Sequence, residues 1–387
     1  MIIGIFSDVF YPYLLGGGET RYYEIARRLV ELGDEVHVLT ATLFGESKFE
    51  EPVKGLKIYR GGWPPHPLTH RSLLPIPSYM LWTFKMMHII KKCEVLDLNT
   101  YASALAGLKL AKKLKKPVVV TIHDVFASSW LNIYNPIYGF FGILSESLIA
   151  WLNKNGIFLT VSNATKQKMI RELGINEEKI FVVPNGVNFK AIRETVKFEE
   201  RKNEEFKRVI YVGRLVKYKN IEHLLYLVKS LKRELNVFLD IVGSGNELER
   251  LKKLSKKLHI DKNVNFHGFI KDRSKVYKMI YKADALINPS YFEGFGMVLL
   301  EALAVGTPVI AYNLEAYKEF LINNVNCLLV KKGDLSALIN ATKNILLNDK
   351  LAERIKAEGL KTAIKFDWMN ITLKVKEIYN KVYEQFT

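Results

Sequence analysis

The chain has 387 residues and only two cysteines, Cys93 and Cys327. They are too few and too far apart for a disulfide framework, which fits a reducing compartment. No long uncharged apolar run is present. The most aromatic apolar stretch, Pro136 to Leu152, carries Glu146 and several hydroxyls and is too short to span a bilayer. No basic leader followed by an apolar run opens the chain. Met1-Ile-Ile-Gly-Ile-Phe-Ser goes straight into a strand pattern, so no signal peptide is expected. Acid is scarce relative to base: 40 Asp and Glu against 57 Lys and Arg leave a net charge of +17. Such an excess suits a phosphorylated small molecule, an anionic membrane face or nucleic acid. Nucleic acid is the poorest fit, because no binding module and no basic tract interleaved with stacking aromatics occurs. The richness in Lys, Ile and Glu is also a surface habit of thermophiles. What the chain does have is 49% hydrophobic and 25% charged residues, the balance of a folded protein with a substantial core. Its length suggests about two or three domains.

The most informative stretch runs from Asn288 to Ala311. The apolar strand Ala285 to Ile287 runs out at Pro289, and Gly294 and Gly296 allow a tight turn and close approach to a ligand. A helix is expected from about Met297, ended by Gly306 and Pro308, and a second apolar strand follows to Ala311. Strand, glycine turn, helix and strand make one βαβ unit of a parallel sheet. Its turn sets free backbone N–H groups and a helix N-terminus at the sheet's C-terminal edge, a ready anion site. Glu301 is the only charge between Met297 and Val305. A helix apolar on every face is a buried helix, and a lone buried carboxylate is costly unless something bonds it. Sugar hydroxyls, which donate, are suitable partners. Glu293 lies in the turn itself; phosphate would repel it, so it is expected to face an uncharged sugar.

Glu293-Gly-Phe-Gly, then Glu301, then Gly306-Thr-Pro-Val-Ile-Ala resembles the signature of the retaining glycosyltransferases of family 4, two glutamates separated by seven residues. The resemblance covers nearly the whole chain and implies an α/β protein of GT-B architecture: two Rossmann-like domains facing each other across a cleft. It implies transfer of a hexose from a nucleotide-diphosphate sugar, with UDP or GDP as the expected nucleotide. The acceptor would be a glycan, a lipid-linked or a small molecule, as in polysaccharide or glycolipid biosynthesis. The expected division is an acceptor domain over 1–190, a donor domain over 191–366 and a last helix, 367–387, crossing back to the first domain.

Other landmarks follow in chain order. After the strand Ile2 to Phe6, the loop glycines Gly16, Gly17 and Gly18 permit close backbone approach, and Glu19 opens a helix to Leu32. This loop does not keep the G-x-G-x-x-G spacing of a dinucleotide fingerprint, which disfavours hydride transfer. The resemblance places it beside the donor phosphates, through Gly17 and Gly18, and the acceptor, through Gly16. Asp97-Leu-Asn-Thr stands where the family often has an aspartate and then a histidine. The histidine is absent. His123 and Asp124 end the strand that begins at Pro117, the place where α/β sheets bind ligands. A histidine there could bond a sugar hydroxyl or act as acid or base; Asp124 would lie on the acceptor side. The aromatics from Phe126 to Asn153, among them Trp130, Tyr134, Tyr138, Phe140, Phe141 and Trp151, suit either a membrane interface or a core helix. Pro184-Asn185-Gly186 is a further landmark, with Asn185 on the acceptor side. Lys190 to Lys207 is charged and irregular, as linkers tend to be.

In the second half, Gly213 leaves a strand, Arg214 stands on its end and Lys219 precedes a helix. Two fixed cations there would neutralise a diphosphate, and the pair resembles the family's diphosphate-binding residues. Gly243 opens a glycine turn placed along the nucleotide. His267-Gly268 falls where the family touches the nucleobase. Glu319 keeps an acidic position without its flanking glycine, and Cys327 replaces another glycine.

Together these imply metal-free transfer. The departing nucleoside diphosphate would be met by Arg214, Lys219 and the amides of Gly294, Phe295, Gly296, Met297 and Val298. Glu301 would bind the ribose, while Glu293 and His123 orient the sugar. No Asp-X-Asp pair, the divalent-ion holder of the other large glycosyltransferase architecture, occurs anywhere. No metal, no cofactor beyond the sugar nucleotide and no nucleic acid are expected. The chain would be cytoplasmic, either free or peripheral on the inner face of the cell membrane. The competing readings are a nucleotide-sugar-binding protein without transfer and a sugar-nucleotide epimerase of the same architecture.

Overall fold

The computed structural model describes residues 1–12, 16–42, 47–62, 76–126, 136–197, 199 and 205–386. The chain divides into two units, Met1–Asn185 with Trp368–Thr387, and Gly186–Asp367.

The first unit holds an eight-stranded sheet: β1 (Ile2–Ser7), β2 (Glu35–Ala41), β3 (Phe49–Val53), β4 (Leu56–Gly61), β5 (Val95–Asn99), β6 (Val118–Ile122), β7 (Ile157–Thr160) and β8 (Ile180–Val182). Their order is β3-β4-β2-β1-β5-β6-β7-β8, parallel except for the β3–β4 pair. The central strands are continuous apolar runs because helices cover both faces of a parallel sheet. Phe6, Leu39, Leu98, Val120, Ile122 and Phe158 form one side of the core. β3 and β4 escape a search for apolar runs. Glu50 and Glu51 lie on β3, Lys57 and Arg60 on β4, and β4 alternates between buried and half-buried residues. Pro52 is tolerated because β3 is an edge strand. The helix Gly17–Glu31 starts two residues earlier than Glu19, and two helices, Ile76–Lys85 and Met87–Ile90, precede β5. The terminal helix Trp368–Glu384 packs against the helix Gly17–Glu31 and against β5 and β6.

The second unit carries β9 (Lys207–Val212), β10 (Val237–Val242), β11 (Val264–Gly268), β12 (Ala285–Asn288), β13 (Val309–Tyr312) and β14 (Leu328–Val330). All are parallel, in the order β11-β10-β9-β12-β13-β14. Both units are thus Rossmann-like. The strand order of this unit runs outward from β9 to β11, then resumes on the other side with β12. That reversal is a switch point, where open α/β sheets bind ligands, and it lies between β9 and β12. The stretch expected to be an irregular linker is in part ordered: Phe189–Val196 is a helix whose Ile192 and Val196 are buried, and its Arg193 bonds the Val305 carbonyl at 2.9 Å.

Candidate functional site

Arg214 leaves the end of β9, and the turn Ser290–Gly296 leaves the end of β12, so both sequence signals fall on the one switch point. The two turns are tied together. The Tyr291 amide donates to the Tyr218 carbonyl at 2.8 Å, and the rings of Tyr218 and Phe292 meet edge to face at 6.1 Å. The Lys219 ammonium, buried, pairs with Glu293 Oε1. The same oxygen accepts from Ser290 Oγ at 3.2 Å and Asn288 Nδ2 at 3.4 Å. Arg214 is exposed and donates to the Tyr218 hydroxyl at 2.8 Å. Its guanidinium and the Lys219 ammonium therefore meet through Tyr218, over whose ring Lys219 lies at 5.5 Å. Tyr211 and Tyr317 are buried around this cluster. Burial, with the Glu293 charge added, pushes both phenols well above the usual tyrosine range, so they stay protonated.

Gly296 caps the helix Met297–Val305 at φ +90, and a Cβ there would come within 2.6 Å of the Tyr317 ring. Only glycine fits this left-handed position. Phe295 does not offer its side chain to a ligand: it is buried against Phe320, with ring centroids 4.9 Å apart. At that position only the backbone is available. Gly294, Met297 and Val298 are half-buried. Gly243 lets the β9 and β10 turns touch, because a Cβ would lie 1.9 Å from the Gly213 carbonyl oxygen. The Gly243 amide is itself spent on the Gly268 carbonyl at 2.8 Å.

Glu301 corrects the expectation of a lone carboxylate. It is buried at 6% exposure, but Arg273 pairs with its Oε1, and the Tyr277 hydroxyl donates to that oxygen at 3.4 Å. The charge is offset from a neighbouring helix, Arg273–Lys282. Glu293 and Glu301 share one feature: every hydrogen bond each accepts from the described residues falls on Oε1. Among those residues Oε2 of both takes no donor.

In the first unit the glycine loop and His123 come together. A Cβ on Gly18 would lie 3.3 Å from the His123 ring, and Tyr22 meets that ring edge to face at 5.7 Å. Gly16 precedes the helix as its cap residue and Gly17 is the first helical residue. Asp124 bonds the Val125 amide at 2.9 Å and lies 3.4 Å from Lys168. Asn185 is buried, and its amide oxygen accepts from Arg21 at 3.0 Å. Trp130 and Tyr134 lie outside the described residues.

Sequence reading missed Arg273 and Tyr277, Tyr218, Ser290 and Arg21. A signal existed for the first two: they are four residues apart and so share a helix face. Nothing in the sequence pairs Arg21 with a residue 164 positions away. Among the described residues no group of three or more His, Cys, Asp or Glu is arranged to hold a metal ion.

The description Glycosyltransferase Family 4 matches residues 15–190, and Glycosyl transferases group 1 matches 192–362. The chain is 25% identical to an uncharacterised glycosyltransferase of Methanocaldococcus jannaschii, with 96% of each chain covered. It is also 25% identical to the glycogen synthase of Mycobacterium tuberculosis, over 95% of this chain and 92% of that protein. Among solved structures, sucrose-phosphate synthase from Thermosynechococcus elongatus superposes with a TM-score of 0.84 at 22% identity, covering 99% of both chains. The Anabaena protein HepE in complex with UDP and glucose superposes with a TM-score of 0.77 at 18% identity, over 98% of this chain and 100% of that one.

Proposed function

The chain belongs to the group 1 glycosyl transferases and is a hexosyltransferase that uses nucleotide sugars, and from that premise we propose that it transfers the hexose with retention and without a metal ion. The observation that carries this reading is the switch point itself. There a guanidinium, an ammonium and the backbone of the glycine turn stand together, and among the described residues every bond to the two signature carboxylates falls on one oxygen. As the sugar leaves, charge builds on the nucleoside diphosphate. Arg214, Lys219 and the amides after Gly294 meet that charge, and such donors are the largest catalytic contribution in sites of this kind, about 3 kcal/mol for each one removed. Lys219 is held ready by Glu293. A diphosphate arriving at Lys219 would compete with that pair and free Glu293 to accept from the sugar's hydroxyls. Glu301 Oε2 accepts from the ribose. His123, beside Gly18, orients the transferred sugar or the acceptor. UDP is the favoured nucleotide, since HepE is a structural neighbour described with UDP and UDP-glucose.

The test is donor turnover by purified protein with radiolabelled UDP-, GDP- and ADP-sugars, with and without chelator, and the anomeric configuration of the product read by NMR. Transfer that persists in chelator with the configuration kept is the expected result. Loss in chelator removes the metal-free reading, and an inverted product removes retention.

A membrane-bound acceptor is favoured by one specific feature. The helix Pro136–Leu152 exposes Phe140, Phe141, Leu144, Leu148 and Trp151, from 38 to 66% each, and no charged residue is exposed on its described face. It packs against the helix Ala102–Leu114, whose Lys109, Lys112 and Lys113 are exposed and which has no acid. Apolar side chains beside unpaired lysines suit the surface of an anionic bilayer. No described helix is long and apolar enough to cross a membrane. Co-flotation with vesicles containing phosphatidylglycerol, lost in a Leu144→Ser/Trp151→Ser variant, is expected. Flotation unaffected by the two changes rejects this surface.

A further inference from the structure

The group that offsets Glu301 comes from outside the signature. Arg273 and Tyr277 lie on one face of the helix Arg273–Lys282. The Arg273 guanidinium is 5.2 Å from the Tyr277 ring centroid, and both side chains bond the same oxygen of Glu301. The Glu301 side chain is 8% exposed and that of Arg273 46%. A carboxylate this buried is costly without a partner, and Arg273 supplies one. By occupying Oε1 together with Tyr277, it also leaves Oε2 as the free acceptor.

We propose that Arg273 is the positioning residue that gives this donor site its selectivity for ribose over deoxyribose, by fixing the rotation of Glu301. The inference rests on the reading that Glu301 holds the ribose. Arg273 itself need not touch the nucleotide. The guanidinium works because it is planar, cannot lose its proton and lies over the Tyr277 ring that shares its oxygen, whereas lysine at the same place would offset the charge as a mobile point without that stacking.

Titration calorimetry on the full chain tests it. UDP, GDP and ADP are compared first, and the tightest of them is then measured beside its 2′-deoxy and 3′-deoxy forms. Wild type is expected to prefer the ribonucleotide by about tenfold or more, the size of one hydrogen bond to a charged group. In Arg273→Ala and Arg273→Gln that ratio is expected to fall below about threefold, with Arg273→Lys in between. Thermal melting identifies variants that remain folded, and a ratio of affinities is not moved by a uniform loss of binding. A folded Arg273→Gln or Arg273→Lys protein that keeps the full wild-type ratio overturns the proposal. A wild type that binds ribo- and deoxyribonucleotides alike refutes Glu301 as the ribose carboxylate, and the present inference with it, while leaving Arg214 and Lys219 untouched. Failure of all three nucleotides to bind refutes the donor site as a whole.

Discussion

A buried carboxylate on the first unit's sheet and the two signature carboxylates of the second unit are bonded differently. In the first, Asp97 on β5 is 2% exposed and fully bonded. Its Oδ1 accepts from the Tyr22 hydroxyl at 2.9 Å and the Thr121 hydroxyl at 2.8 Å, and its Oδ2 from Tyr379. Three neutral hydroxyls thereby join β5, β6, the helix after the glycine loop and the terminal helix. In the second, Glu293 and Glu301 are each gripped on one oxygen by a cation, and among the described residues the other oxygen takes no donor. A carboxylate saturated by the chain is a fastener. One that is half saturated can exchange a partner for a ligand. On the proposed reading, that difference separates a structural acid from a binding acid where burial alone does not.

The comparison can be broken at either end. Asp97→Ala strands three buried hydroxyls, and losing one partner of a buried charged network costs about 3–5 kcal/mol. Thermal or urea unfolding of the first unit is expected to show it, and a change below about 1 kcal/mol would make Asp97 a bystander. Arg214→Ala acts on turnover instead. Loss of about 100-fold in kcat at unchanged melting temperature is expected, and a wild-type rate ends its assignment. Gly296→Ala tests the turn between the two glutamates. The alanine is forced to a positive φ and into the Tyr317 ring, for a cost of about 1–2 kcal/mol and a weaker grip on the nucleotide in titration. Tyr379→Phe removes one of three donors to Asp97, about 1 kcal/mol, and is expected to leave nucleotide binding intact.

The smallest effect is in pH. Burial raises the Asp97 carboxyl above its ordinary value, against the pull of its hydroxyl partners and Arg21. The folded chain then holds that proton more tightly than the unfolded one. The stability carried by this group is full below the ordinary aspartate range and declines as pH rises through the raised value. Asp97→Asn is expected to flatten that slope. An unchanged slope in the variant places the titration elsewhere.

Much of the second unit was legible from its residues. Gly294, Gly296, Gly306 and Pro308 punctuate an apolar sequence, and local punctuation fixes a βαβ unit whatever lies around it. The first unit was harder to read. β3 is a charged edge strand and β4 beside it has no apolar run either, and no local signal pairs Asn185 with Arg21, 164 positions away.

While the two Rossmann-like halves followed from the family resemblance, the sequence by itself determined the glycine turn, the placement of Arg214, Lys219 and Glu293 in the turns after strands and that of Glu301 on the buried helix. These depend on short-range periodicity and on glycine conformations, both carried by neighbouring residues. Only the tertiary structure decided what each charge faces. Lys219 meets Glu293 across 74 positions, Arg273 meets Glu301 across 28, and Tyr379 meets Asp97 across 282. The reason is physical: a buried charge is stabilised by whatever donor the fold brings within hydrogen-bond reach, and separation along the chain says nothing about that reach.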